Sequence, residues 1–320
     1  MPSAIDSTQA RPARAAAPPR PAGRRRTTEQ IEGRSGYALI APTTILLALF
    51  YLYPLVQTVG YSFTNWNPAT GQTGAFVGGA NFAGLFQNAE FLKTAGNTGI
   101  YVVVVVPVTM AIGLFFAALL AQPFRGRGLY RALLFVPYIA PIVGSSLIFS
   151  FILSPLGGIV NGTLGALGFA PIGFLNSTPW ALISVIVFSI WQGVGYQMII
   201  FSAALSNIPQ SYHEAATLDG AGPIRRFFSI SLPLVVPTLG FLAITGIIGA
   251  LQVFTQVYIL TGGGPLRSTE TILYFIYQQG FVYFHGGTAS AAAVLLLALG
   301  IIVSVVQLRI LGRRDTIELT

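Results

Sequence analysis

The stretch His213–Pro237, HEAATLDGAGPIRRFFSISLPLVVP, is a polar interruption in a very apolar chain. It carries two acidic and two basic side chains, Glu214, Asp219, Arg225 and Arg226, between long hydrophobic segments. The whole chain is 53% hydrophobic and 8% charged, whereas an ordinary soluble domain carries about 25% charged residues. This deficit over 320 residues predicts a polytopic membrane protein, in which the polar stretch must lie outside the bilayer.

Six segments are long enough to cross a membrane, which takes about 20 apolar residues as a helix. They lie approximately at 37–63, 98–121, 130–153, 180–205, 232–260 and 289–311. The first five contain no Asp, Glu, Lys or Arg except Arg131 at an edge, and the sixth contains only Arg309 near its end. The sequence therefore predicts an all-α polytopic membrane protein with six transmembrane helices.

The basic residues indicate the orientation of these spans. Six spans place both termini on one side of the membrane. If that side is the cytoplasm, fifteen of the seventeen basic residues are cytoplasmic and only Lys93 and Arg267 lie outside. We therefore expect a bacterial plasma membrane protein with cytoplasmic termini. Its net charge of +8 is then explained by topology, with no nucleic-acid partner.

The domain organisation follows from composition. Residues 1–35 are rich in Pro, Ala and Arg and lack apolar periodicity, which predicts a disordered basic cytoplasmic tail rather than a signal peptide. Residues 36–315 form the predicted transmembrane domain, and 316–320 a cytoplasmic C-terminal tail. The aromatic segment 268–284 is predicted as an interfacial or re-entrant helix. A seventh span is the alternative, and it would move the C-terminal arginines outside.

Several kinds of chemistry are absent from the sequence. The chain has no Cys and two distant His residues, so we expect no metal site. It has no G-x-x-x-x-G-K-[ST] motif and a single Lys, Lys93, so it cannot bind ATP by that device. No carboxylate pair or His-containing triad can be assembled, and we expect no catalytic residues. Ion-coupled carriers usually place ionisable groups inside their spans, and none lies at mid-depth here.

The polar stretch is predicted to form two short helices at the cytoplasmic surface. Pro209 is tolerated in the first turn of the first helix, Gly220 suits a left-handed C-terminal position, and Pro223 can begin the second helix. A solvated, unstructured connection is the alternative. Large apolar residues alternate with the charges, however, and this pattern favours docking on a cytoplasmic partner.

The spacing of this stretch resembles the EAA loop of ABC importer permeases. The match consists of Glu214-Ala215-Ala216, three residues, Gly220, nine residues, and Ile230-x-Leu232-Pro233. In that family the loop forms coupling helices that sit in a cleft on the ATP-hydrolysing subunit. The resemblance implies that a loop at about 207–232 contacts an ATPase. The coupling residues it implies are Glu214, Ala215, Ala216, Asp219, Gly220, Arg225 and Pro233.

Three further stretches resemble the carbohydrate-uptake branch of these permeases, which includes the maltose and glycerol-phosphate permeases. They are RGRGLYRALLFVPYIAP (Arg125–Pro141), WQGVGYQMII (Trp191–Ile200) and VYILTGGGPLRST (Val257–Thr269). The resemblance covers roughly 37–315 and implies the type I ABC importer permease fold and alternating access. It also implies four partners: the bilayer, an ABC ATPase dimer that binds ATP and Mg, a second permease, and an extracytoplasmic sugar-binding protein. A homodimer remains possible.

Polar and aromatic residues at mid-membrane are the candidates for holding a substrate. Sugars bind through amide and hydroxyl hydrogen bonds and through aromatic stacking, and Gly193 and Gly195 would let a ligand approach the backbone. Ordinary helix packing is an equally good explanation for any one of these residues. The resemblance strengthens the case for a substrate-binding role of four residues, Tyr138, Gly193, Tyr196 and Gln252. The full candidate set is Tyr138, Trp191, Gly193, Tyr196, Gln252, Phe254 and Gln256.

The absence of charge on the spans indicates the substrate class. A phosphate buried at mid-membrane would require Arg or a similar partner, and the spans offer none. A neutral sugar or oligosaccharide is therefore favoured over glycerol phosphate, although a partner permease could supply the charge. Another solute of the same superfamily and an ion-coupled carrier remain as alternatives.

Overall fold

The computed structural model describes residues 39–71 and 74–315. The predicted tails at 1–35 and 316–320 lie outside the described residues. The described residues divide into two units after Val56, and the contacts described below lie within the second. The described residues are helical, apart from turns, loops and one isolated β-bridge between Thr64 and Phe76.

The helices are numbered in chain order. The first seven are α1 (Leu39–Tyr61), α2 (Ala80–Gln87), α3 (Ala89–Leu119), α4 (Arg127–Ile139), α5 (Ile142–Ile152), α6 (Ile159–Ala166) and α7 (Trp180–Ser206). The others are α8 (Gln210–Leu218), α9 (Pro223–Leu234), α10 (Val236–Leu251), α11 (Thr255–Leu260), α12 (Ile272–Tyr277, continued by a π-helical turn at Gln278–Val282) and α13 (Gly286–Asp315).

Among the described residues, four helices are long and apolar enough to cross a membrane: α1, α3, α7 and α13. Two bent pairs meet the same test together. They are α4 with α5, bent by 97°, and α9 with α10, bent by 64°. If each bent pair is one span, the chain has the six spans that the sequence predicts.

The third predicted span differs from the expectation of one continuous helix. It is broken between α4 and α5, where Ala140 is extended with a ψ of 139°. Pro141 explains the break, since it has no N–H to continue the helical ladder and it disfavours helical backbone at the residue before it.

The fifth predicted span also ends earlier than expected. The segment 232–260 was expected to be continuous, but α10 stops at Leu251 and helix resumes only at Thr255. Neither Pro nor Gly marks this break. A tertiary contact stabilises it, because the hydroxyl of Thr271 donates to the carbonyl oxygen of Val253 at 2.9 Å.

The segment α12 with its π-helical turn is too short for a seventh span, since a helix rises about 1.5 Å per residue and the hydrocarbon core is about 30 Å thick.

α3 begins well before the predicted span at 98–121. The side chain of Asn88 caps it by accepting from the N–H of Glu90 at 2.8 Å and of Phe91 at 3.4 Å.

The core of the second unit is built around α3 and α7, which pack along each other. The largest buried cluster contains Tyr101 and Val105 from α3 and Val185 and Phe188 from α7, and α10, α11 and α12 add further residues to it. Large apolar side chains elsewhere on the spans are exposed. This arrangement is typical of helices that face lipid, where apolar surface needs no protein cover.

Glycines allow the closest helix contacts. A Cβ on Gly113 of α3 would lie 2.5 Å from the Cβ of Gln197 on α7. A Cβ on Gly195 of α7 would lie 2.7 Å from the Cα of Phe135 on α4 and would also collide with the carbonyl of Leu134. Gly195 therefore allows close packing of α7 against α4. This is the alternative to the expectation that Gly195 lets a ligand approach the backbone. Small residues at helix contacts are a common device in membrane proteins.

We expect the substitution Gly195→Ala to destabilise the protein. The new methyl group meets backbone atoms that cannot rotate away, so α7 and α4 must separate, and such overpacking costs about 1 to 3 kcal/mol. The measurement is the midpoint of thermal unfolding of the purified chain in detergent. Gly99→Ala on α3 is the control, since nothing lies within 4 Å of its added Cβ. Equal midpoints for the two variants would contradict the packing role of Gly195.

Candidate functional site

The polar loop between α7 and α10 has the structure that the sequence predicts. Pro209 is the residue that precedes α8, and α8 ends at Leu218. Gly220 is left-handed with a φ of +75°, and the N–H of Ala221 donates to the carbonyl of Ala216 at 2.9 Å. This arrangement satisfies the free carbonyls at the end of a helix. Pro223 is the first residue of α9, as predicted.

A hydrogen bond joins the two loop helices. The guanidinium of Arg226 on α9 donates to the Oγ1 of Thr217 on α8 at 2.8 Å. The bond holds α8 and α9 in one arrangement, so the loop presents a defined surface.

The exposed face of this loop combines charged and apolar side chains. Glu214, Asp219 and Arg225 are exposed, and so are Ala215, Gly220 and Pro233, whereas Ala216 is buried. Leu218, Ile224 and Phe228 are 89%, 74% and 61% exposed. Large apolar residues at this exposure, interleaved with charges, are typical of a protein interface.

A cavity of about 660 Å³ lies between α3, α7, α10 and the two breaks in the helices. Its polar lining comes from three hydroxyl and six amide or phenol side chains, which converge from five helices. These are Thr109, Ser189, Thr245, Tyr101, Tyr138, Tyr196, Gln192, Gln197 and Gln256. No Asp, Glu, Lys, Arg or His is among the described residues that line it.

The irregular backbone of the third span lies at this cavity. Ala140, the extended residue of the break between α4 and α5, is part of the lining, as is Ile142 at the start of α5. Non-helical backbone at membrane depth is tolerated where it lines a cavity or is covered by protein. Tyr138, in the last turn of α4 just before the break, stacks its ring on Tyr196 of α7 with centroids 4.9 Å apart.

Four of the seven predicted substrate residues line the cavity: Tyr138, Gly193, Tyr196 and Gln256. The other three do not. Trp191 packs its ring near Phe149 at 5.1 Å and Phe188 at 5.9 Å. Gln252 is exposed at the end of α10. Phe254 stacks on Tyr258 at 5.4 Å.

Sequence reasoning missed the contribution of the second span. Tyr101 and Thr109 of α3 line the cavity with Val105 between them, and these positions lie four residues apart on one helix face. That spacing is visible in the sequence. Thr109 Oγ1 and Gln197 Oε1, both beside the cavity, are buried and have no hydrogen-bond partner among the described residues.

The fold is similar to solved permeases of bacterial transporters. A chain of the crystal structure of a bacterial alginate ABC transporter, in complex with an alginate pentasaccharide-bound periplasmic protein, superposes with a TM-score of 0.80. The two sequences are 23% identical, and the match covers 90% of this chain and 97% of that chain. At this identity the likeness establishes the fold alone.

Curated relatives match along most of the sequence. The sulfoquinovosyl glycerol transport system permease protein SmoG of Agrobacterium fabrum is 37% identical, over 87% of this chain and 90% of that protein. The sn-glycerol-3-phosphate transport system permease protein UgpA of Yersinia pestis is 35% identical, over 87% of this chain and 94% of that protein. A family model, the binding-protein-dependent transport system inner membrane component, matches residues 109–315. The chain therefore belongs to this family of inner membrane permease subunits of ABC importers.

Proposed function

We propose that the cavity is part of the path of a neutral sugar or oligosaccharide through an ATP-driven importer that works by alternating access. The observation that carries this proposal is the lining, which offers hydroxyls, amides and stacked tyrosines and no charge among the described residues. Sugars are bound by such groups, with hydrogen bonds to hydroxyls and aromatic rings against their C–H faces. The volume is in the range of small-molecule sites.

Glycerol phosphate is the second candidate. It is favoured by the relatives named UgpA, whose solute is an anion. The cavity argues against it, because a desolvated phosphate needs charged donors such as Arg. A solute panel separates the two candidates: we expect a neutral sugar, and not glycerol phosphate, to stimulate ATP hydrolysis by the complete complex with its binding protein. Stimulation by glycerol phosphate alone would contradict the neutral-sugar proposal and would support glycerol phosphate as the solute.

This chain is a transport subunit, not an enzyme, and as a permease of a binding-protein-dependent importer it works with an ATPase and a binding protein. We assign ATP and Mg to the ATPase dimer, and we propose that a second, related permease completes the path. The loop at 207–232 is the proposed contact with the ATPase. The exposed charges and apolar residues of α8 and α9 support this role. Both termini would then lie in the cytoplasm, as the distribution of basic residues indicates.

The substitution Glu214→Lys is expected to reduce uptake by tenfold or more while the chain still inserts and assembles. Glu214 is exposed, so replacing it disturbs no packing in the free subunit, whereas a reversed charge at an interface costs several kcal/mol. The measurements are uptake by vesicles that contain the complex and the yield of ATPase recovered with the tagged chain. Arg125→Glu, an exposed charge reversal in the loop before α4, is the control. Normal uptake with Glu214→Lys would refute the docking role.

The two glutamines near the end of the fifth span provide a matched test of the cavity. Gln256→Ala removes a side chain that lines the cavity, and Gln252→Ala removes one that does not. A neutral hydrogen bond contributes about 0.5 to 1.5 kcal/mol, so Gln256→Ala should raise the half-saturating sugar concentration by about 2- to 12-fold. Gln252→Ala should leave it unchanged. The readout is the sugar dependence of ATP hydrolysis, and the reverse order of effects would place the substrate elsewhere.

A further inference from the structure

The loop before α12 contains a charged group that the proposed transport path does not use. Within 39–71 and 74–310, Glu270 is the one buried charged residue, with 1% of its surface exposed. A buried carboxylate is unfavourable unless it is paired and hydrogen-bonded. Arg267 meets this need by donating to both carboxylate oxygens, at 3.2 and 3.0 Å, and it also pairs with Glu90 at 3.0 Å. Burial raises the pKa of the Glu270 carboxyl, against the opposing charge of Arg267.

One face of α3 holds the backbone of this loop. Lys93 Nζ donates to the carbonyl of Leu266 at 2.6 Å. Asn97 Nδ2 donates to the carbonyls of Arg267 at 2.8 Å and Glu270 at 3.0 Å. The Oγ1 of Thr98 accepts from the N–H of Ile272 at 3.0 Å. Residues 90, 93, 97 and 98 recur at helical spacing, so a single face of α3 makes all of these contacts.

The loop conformation depends on these contacts. Leu266 and Arg267 have φ values of 47° and 60°, which are unfavourable for residues with a side chain. Such backbone persists only where the surroundings determine it. We call this group of contacts the outer staple: Glu90, Lys93, Asn97 and Thr98 on α3, with Leu266, Arg267, Glu270, Thr271 and Ile272 on the loop.

A hydrogen bond from the outer staple reaches the break beside the cavity. Thr271 is fully buried, and its hydroxyl donates to the carbonyl of Val253 at 2.9 Å, in the break between α10 and α11. Gln256, which lines the cavity, lies three residues after Val253. It is followed directly by Val257 of the core. Tyr101 and Thr109, on the opposite wall, belong to α3. The staple therefore links the two elements that carry these lining residues.

We propose that the outer staple positions Gln256 at the cavity, and that Thr271 is the positioning residue through which it acts. The inference rests on the proposed substrate role of the cavity. Its physical basis is that the carbonyl of Val253 has left the helical ladder and needs a donor, which is the Thr271 hydroxyl. Without that donor the break relaxes, and the start of α11 with Gln256 moves.

The first test uses isosteric substitutions and needs no solute. Thr271→Val removes the hydroxyl at constant volume, and Thr271→Ser retains it. Thr94→Val on α3 is the matched control, because Thr94 is fully buried and its Oγ1 has no hydrogen-bond partner among the described residues. The chain has no Cys, so Gln256→Cys provides a unique site within it for a nitroxide spin label, which is attached to the purified chain before the complex is assembled. We expect the label in the assembled complex to become more mobile with Thr271→Val and to be unaffected by Thr271→Ser and Thr94→Val.

The second test measures ATP hydrolysis by the complete complex over a range of sugar concentrations, with Gln256 intact. Thr271→Val should raise the half-saturating concentration about fivefold and leave the maximal rate within twofold, and Thr271→Ser should restore the affinity. A loss of maximal rate alone, or a mobile label with unchanged affinity, would overturn the proposal. The proposal would also be overturned if the spin label at position 256 were as immobile in the Thr271→Val background as in the Thr94→Val background. If no solute stimulates the unmodified complex, the proposed function fails, and label mobility still decides whether the staple positions Gln256.

Discussion

Inside a bilayer, each backbone N–H and C=O must find a partner within the protein, because the hydrocarbon offers none. Continuous helices meet this requirement alone, so any break in a span needs a specific remedy. At Ala140–Pro141 the break lies against the cavity. At residues 252–254 a hydroxyl from another segment satisfies the freed carbonyl of Val253. The cavity is thus located where the chain leaves regular helix, and the contacts that allow it to do so also shape its walls.

The structure shows a local role for two of the basic residues. The predicted topology accounts for all basic residues except Lys93 and Arg267, which it places on the outer side. Both belong to the outer staple, where one donates to a loop carbonyl and the other pairs with Glu90 and Glu270. The two exceptions to the orientation rule are therefore residues with a local structural task.

Local signals in the sequence were sufficient for the limits of α8 and the start of α9. Pro209, Gly220 and Pro223 each act on their own backbone, and α8 begins and ends, and α9 begins, where these residues predict. The break after Leu251 could not be predicted, because it depends on Thr271, eighteen residues beyond Val253 along the chain.

Sequence reasoning identified only some of the residues that line the cavity. Tyr138, Gly193, Tyr196 and Gln256 were named from residue type and resemblance, and they line it. Gln252 was named on the same grounds but is directed elsewhere, since the break changes the helical phase between positions 252 and 256. Residue type says what a side chain can bind, whereas its direction depends on backbone geometry that distant contacts determine.

The hydrogen bond between Arg226 and Thr217 joins the two loop helices to each other. α9 leads through a single bend of 64° into α10, and α10 carries Thr245, Gly246 and Gly249 in the cavity wall. The loop surface and that wall are therefore connected by helix except at one bend. A displacement of the loop by a partner would reach the cavity through the angle between α9 and α10.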